Sequence, residues 1–206
     1  MATGEQRGGS RKERSAETER ALKSAARQLF AERGYLNTKI VDITAAAGRS
    51  AGSFYNHFAS KEELLQALLQ DFGAAGDAAA EAGDHDPDFT KPEAVAFHVE
   101  QYWDFAREHR PVLRAVAQAA LVDDEFARIA GKFSAEQLEE VVDHVDGFDA
   151  AGLRLPSTPE VSVSMMFLLV QALVDAVEEG VLPLDDRDAV AALTRFSYRG
   201  LTGRDY

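Results

Sequence analysis

The sequence has 206 residues and no cysteine. That absence excludes a disulfide scaffold, a thiolate zinc site and a cysteine nucleophile. No run of apolar residues approaches the roughly 20 that a membrane-spanning helix needs; the longest, Met165–Val170, ends at Gln171. Residues 1–20 are polar and carry Arg7, Arg11, Lys12 and Arg14 where a secretory signal has its apolar segment. The expectation is a cytoplasmic protein with no membrane partner. No Gly-rich phosphate loop, His-Glu-x-x-His pair or Ser elbow occurs, so no catalytic residue, metal site or cofactor is expected, and no enzyme. Sustained period-2 alternation is absent and β-branched residues are sparse, which points to an all-α fold.

The formal net charge is −13, with Lys+Arg 22 and Asp+Glu 35. Taken whole, that balance argues against nucleic-acid binding. It divides unevenly, however. Residues 1–61 hold 11 Lys/Arg against 6 Asp/Glu, and residues 62–206 hold 11 against 29. A basic head precedes an acidic body, and the body's charge repels DNA, so only the head is suited to a duplex.

Residues 1–14 are rich in Gly and charge without apolar periodicity, and read as a disordered basic arm. The arm suits either a minor groove or a solubilising tail. From there the pattern is helical. A first helix fits Ala16–Arg33, with Gly34 as its stop. Short helices fit Lys39–Ala47, with Thr38 as N-cap, and Ala51–His57, with Ser50 as N-cap. Ser60-Lys61-Glu62-Glu63 is a capping box that opens a helix to about Ala82, and Thr90 with Glu93 suggests another. Further helices fit Pro92–His109, Pro111–Leu121, Pro159–Glu179 and Asp186–Leu201. Residues 123–152 read as one helix or two, the second reading placing a break near Phe133.

Residues 16–65 carry the functional signal. Two short helices flank Ala47-Gly48-Arg49-Ser50, a tight turn with small residues before it, as a helix-turn-helix requires. Ile40, Ile43 and Phe54 can anchor the pair on Leu22, Leu29 and Phe30. The second short helix then offers Ser50, Ala51, Gly52, Ser53 and Asn56, side chains small enough to enter a major groove. Tyr55, His57 and Lys61 follow, with donors suited to phosphate oxygens.

Thr38–Leu64 closely resembles the DNA-binding motif of the TetR family of transcriptional regulators. The matching residues are Leu29–Tyr35, Thr38, Asp42-Ile43, Ala47-Gly48, Phe54-Tyr55, His57-Phe58 and Ser60–Leu64. Arg49 departs from the usual small apolar residue after the turn glycine, and is read as facing solvent or a phosphate. The resemblance implies a three-helix DNA-binding domain at 15–72. A linking helix joins it to a helical-bundle ligand-binding and dimerisation domain at 73–206. It implies a homodimer on double-stranded palindromic operator DNA, acting as a repressor and released by a small-molecule effector. Thr38, Tyr55, His57 and Lys61 would hold phosphates, with Lys39 and Arg49 beside them. Ser50, Ala51, Gly52 and Ser53 would face base edges.

The body is rich in aromatic and sulfur side chains. Phe97, Tyr102, Trp103, Phe105, Phe126, Phe133, Met166 and Phe167 are candidates to line an apolar pocket. His98, Gln101, Gln118 and Gln171 are candidates to orient a ligand within it. Each also fits ordinary core packing. Glu140 and His144 lie i,i+4, and His85 sits between Asp84 and Asp86, but a solvated charged face accounts for these better than a metal site. The last two helices carry apolar stripes, and Val163, Phe167, Val170, Val174, Val177, Leu193 and Phe196 are the candidate dimer interface. Two other readings are a helical enzyme with an appended DNA-binding head and a regulator acting through a protein partner.

Overall fold

The computed structural model describes the backbone of residues 6–82 and 86–205 and the side chains of residues 11–76 and 86–205. Its helices are α1 (Gln6–Arg33), α2 (Ile40–Ala46), α3 (Ala51–Tyr55), α4 (Lys61–Ala82), α5 (Pro92–Glu108), α6 (Arg110–Ala120), α7 (Asp124–Val142), α8 (Pro159–Glu178) and α9 (Asp186–Thr202). A 3-10 turn, Asp143–Val145, follows α7. No strand occurs among the described residues, so the fold is all-α.

Most boundaries follow local chemistry. Ser60 Oγ accepts from the Glu63 N–H, Thr158 Oγ1 from Val161 and an Asp185 carboxylate oxygen from Asp188. Four boundaries differ from expectation, the first being α2, which starts at Ile40 with Lys39 and not Thr38 as its N-cap. α1 begins at Gln6, so the segment read as an arm is helical over residues 6–14. Its Gln, Arg, Lys and Glu residues are good helix formers, and no proline interrupts them; residues 1–5, and the Arg7 side chain, lie outside the described set. α7 runs unbroken through Phe133, because the Ser134–Gln137 pair sits inside the helix rather than at a start. Thr90 does not cap α5: Lys91 is the N-cap, and the Thr90 N–H donates to Asp88 Oδ1.

The chain divides into two compact units. The first comprises Met1–Ala74 with Pro111–Ala130, and the second Ala75–Arg110 with Gly131–Tyr206. The first unit thus takes in α6 and the start of α7 beside residues 15–72. α6 places Val112, Ala115 and Ala119 on one face, and these join Leu22, Phe30, Ile43, Phe54, Leu65 and Phe126 in one buried core.

In the second unit α5, α8 and α9 share a core. Val95, Val99 and Trp103 of α5, Val163, Met166, Val170 and Val174 of α8, and Ala189 and Leu193 of α9 are all buried. α8 is long and apolar enough to cross a bilayer by length and composition. Its polar ties fit a bundle helix: Arg110 Nε donates to Asp175 Oδ1 at 2.6 Å, and Arg107 pairs with Glu178 and with Asp186 of α9. The loop before α5 is fastened twice. Phe89 N–H donates to the His144 carbonyl at 3.0 Å, and Tyr198 O–H donates to the Thr90 carbonyl at 3.1 Å.

This packing corrects the interface assignment. Val163, Val170, Val174 and Leu193 are buried within their own unit, and Phe167 and Val177 are half-buried. Of the expected set only Phe196 is mostly exposed. α8 is apolar on two sides, and its outward side carries Val161, Met165 and Leu168 at i, i+4 and i+7.

Candidate nucleic-acid interface

The interface is built on a turn that only a flexible backbone makes easily. Gly48 sits at φ +62°, in the left-handed region, which lets the chain leave α2 and enter α3 within four residues. The turn is closed by the Arg49 N–H donating to the Thr44 carbonyl at 2.9 Å. Ser50 then caps α3, its Oγ accepting from the Ser53 N–H at 3.1 Å. Phe54 pins α3 to the head core, fully buried and packed on Phe58 with ring centres 5.7 Å apart. The opposite side of α3 is left to solvent. Ser50, Ala51, Gly52, Tyr55 and Asn56 are exposed and Ser53 is half-buried. Lys39, before α2, is exposed too.

The remaining predicted contacts are placed differently. Thr38 is buried, and its hydroxyl donates to the Gly34 carbonyl at 2.8 Å, so it belongs to the α1–α2 turn and not to a DNA surface. The turn's last polar groups are met instead by Asp42, which accepts from the Lys39 N–H at 3.0 Å. Lys61 is also turned inward. Its ammonium donates to the carbonyls of Tyr35 at 2.8 Å and Thr38 at 3.0 Å, and lies 3.8 Å from the centre of the Tyr35 ring. Burial lowers its pKa, opposed by the neighbouring Glu62 charge. His57 is largely covered, with Nδ1 4.0 Å from Glu19 Oε2. Arg49 reaches Glu17 of α1.

Sequence reasoning missed the group behind this surface. Tyr35 O–H donates to Glu62 Oε1 at 2.6 Å, and the Tyr35 N–H donates to Gln118 Oε1 at 2.8 Å. Burial, then the Glu62 carboxylate, pushes the Tyr35 phenol far above its usual range. Burial works to raise the Glu62 pKa, but hydrogen bonds from Tyr35, its own N–H and Ser60, with the Lys61 charge, bring it below the usual carboxylate value. Two elements, α4 through Lys61 and Glu62 and α6 through Gln118, thus grip the α1–α2 turn from outside. The one sequence signal was Gly34-Tyr35 at the end of a helix.

The candidate ligand residues do not form one group. Gln118 and Phe126 sit in the first unit, one bonded to Tyr35 and the other in the head core. Gln101 is exposed, whereas Trp103 and Met166 are buried. Tyr102 and Phe167 meet edge to face at 4.9 Å, with burial raising the Tyr102 pKa. His98 lies in an aromatic cluster with Phe89 and His144, ring centres 4.9 to 5.1 Å apart, and Phe97 borders it. Phe105 meets His109 at a tilt, with ring centres 4.5 Å apart; Phe133 and Gln171 are half-buried.

A short helix held by its apolar side, with small polar groups presented outward after a glycine turn, defines a helix-turn-helix head. Residues 22–68 match the family described as "Bacterial regulatory proteins, tetR family". Curated relatives agree over the same region. The HTH-type transcriptional repressor DhaR of Mycobacterium sp. (strain GP1) is 56% identical over 45 residues, 22% of this chain and 23% of its own length. The HTH-type transcriptional repressor KstR2 of Mycobacterium tuberculosis is 49% identical over 51 residues, 25% and 26% of the two chains. The matched stretches thus span about a quarter of those relatives. Solved structures extend the likeness in fold to nearly the whole chain. A TetR family transcription regulator from Marinobacter aquaeolei VT8 superposes with a TM-score of 0.69 at 19% identity, covering 95% of this chain and 100% of the other. A TetR-like transcriptional regulator from Rhodococcus sp. RHA1 gives 0.66 at 23% identity, over 89% and 94%.

Proposed function

We propose that this protein is a DNA-binding transcriptional regulator and not an enzyme, acting in the cytoplasm as a repressor. The observation that carries the reading is the exposed outer side of α3, with Ser50, Ala51, Gly52, Tyr55 and Asn56 presented while Phe54 and Phe58 are buried. Its relatives named as repressors support it. Ser50, Ala51, Gly52, Ser53 and Asn56 read base edges in the major groove; Tyr55, Lys39, Arg49 and the rim near His57 meet phosphates. Two copies associate through the outward side of α8 and Phe196 of α9. They present two heads to a palindromic operator with half-sites about one helical turn apart, roughly 34–36 Å. A small, largely apolar effector binds the body unit, favours a conformation whose heads are wrongly spaced, and releases the operator.

Selection from a random duplex pool, followed by fluorescence anisotropy on the winning sequence, tests this. The expected result is a palindromic consensus whose affinity falls steeply with salt. Failure to enrich any sequence, or a flat salt response, overturns it.

A further inference from the structure

The pair Arg49–Glu17 ties the turn of the helix-turn-helix to α1. Arg49 Nη2 donates to Glu17 Oε1 at 3.1 Å, and each is the other's one polar side-chain partner among the described residues. The Arg49 Nε is buried without a hydrogen-bond partner among the described residues, while the side chain as a whole keeps 31% of its surface exposed, which leaves guanidinium surface within reach of solvent. Glu17 is the more exposed partner, at 62% against 31% for Arg49. Arg49 immediately precedes Ser50, the cap of α3, so its charge stands at the rim of the exposed surface.

We propose that Glu17 is a positioning residue for DNA binding. It holds the Arg49 guanidinium with its remaining Nη donors directed outward, where a backbone phosphate accepts from them. The inference rests on the DNA-binding reading above and adds to it a residue on α1 that touches no DNA. The physical case is that a long cation loses rotamer freedom when it binds, and prior fixation removes part of that cost. An exposed ion pair is weak, so the carboxylate can share the guanidinium with a phosphate instead of competing for it. Ordinary electrostatics makes the opposite prediction, because a carboxylate near a duplex repels it and its removal would tighten binding.

The test is a double-mutant cycle on the full chain: wild type, Glu17→Gln, Arg49→Gln and the double variant, titrated onto the duplex selected by the wild type. Positioning predicts that Glu17→Gln weakens binding by roughly 1.5- to fivefold, the scale of an exposed ion pair. It also predicts that the same change does not weaken binding in the Arg49→Gln background. Arg49→Gln should lower the salt slope of log K by about 0.9, the loss of one phosphate contact. Equal thermal midpoints separate this from a structural role. The inference is overturned if Glu17→Gln tightens binding, if it acts equally in both backgrounds, or if Arg49→Gln leaves the salt slope unchanged. If the wild type selects no duplex, it is the DNA-binding reading that fails.

Discussion

Lys61, the first residue of α4, places its ammonium 3.8 Å from the centre of the Tyr35 ring and donates to the Tyr35 carbonyl at 2.8 Å. A second bond, to the Thr38 carbonyl at 3.0 Å, ties the same lysine to the far end of the α1–α2 turn. Lys61→Ala therefore acts first on the fold. Charge-assisted hydrogen bonds contribute about 1.5–3 kcal/mol each where buried, and with this side chain half-exposed the expected loss is about 1–3 kcal/mol. That corresponds to a fall in thermal midpoint of about 2–4 °C per kcal/mol in a chain of this size. Calorimetry on the variant checks it. An unchanged midpoint with weakened DNA binding would return Lys61 to the phosphate role that its position suggests.

The same turn is held from α6. Gly34 lies at φ +79°, and a Cβ added there would stand 3.0 Å from Gln118 Oε1. Gly34→Ala combines a left-handed backbone with a crowded neighbour, so it should destabilise the head by more than about 1 kcal/mol. Gln118→Leu removes the acceptor for the Tyr35 N–H, leaving a half-buried donor unpaired at a cost of about 1–3 kcal/mol. Urea unfolding measures both, and the Tyr35 amide should exchange faster in Gln118→Leu. An effect on effector response with no loss of stability would instead restore Gln118 to the ligand set.

Glu62 gives the head a pH dependence of definite sign. Its folded-state pKa lies below 4.5, so the stabilisation is present above that value and is lost as pH falls through the lower, folded value. Unfolding midpoints in urea should decline below about pH 4.5 more steeply in the wild type than in Glu62→Gln. Parallel curves would show that the Tyr35–Glu62 bond does not stabilise the ionised carboxylate.

What could be read from the sequence is what closes over a few residues. Ser60 and Glu63 are three apart, Thr158 adjoins Pro159, and Gly34 ends α1, so the starts and stops of helices were visible. The role of Gln118 was not, because its partner Tyr35 is 83 positions away and nothing local distinguishes a glutamine that braces a turn from one that faces a ligand. Phe126 was hidden for the same reason. α8 posed a different problem. Its apolar residues were plain, but a helix apolar on two sides does not reveal which side meets its own core. Val163 and Val170 turn inward, Met165 and Leu168 outward. Thr38 and Lys61 had the right chemistry for phosphate, but nearby carbonyls occupy their donors first.

That outward side makes dimerisation testable. Val161, Met165, Leu168 and Phe196 are 46%, 57%, 65% and 67% exposed, an apolar set that a monomer leaves in water. Leu168→Glu and Phe196→Glu should each convert a dimer at micromolar concentration to monomer in light scattering, with helical content unchanged. Val163→Ala, within the core, should instead lower the thermal midpoint and leave the mass alone. If both glutamate variants stay dimeric, the copies associate through another surface.

Tyr55 separates contact with DNA from support of the fold more cleanly than any other residue here. Its ring meets Phe54 edge to face at 5.5 Å, but the side chain is 58% exposed and its hydroxyl has no partner among the described residues. Tyr55→Phe therefore removes only an outward donor, and the thermal midpoint should hold to within about 0.5 kcal/mol of stability. DNA affinity should fall by a similar factor on the selected duplex and on unrelated duplexes, because a phosphate contact carries no sequence information. Anisotropy titrations on both, at two salt concentrations, measure this. A loss confined to the selected sequence would move Tyr55 from the phosphate backbone to the base edges, beside Ser50, Gly52 and Asn56.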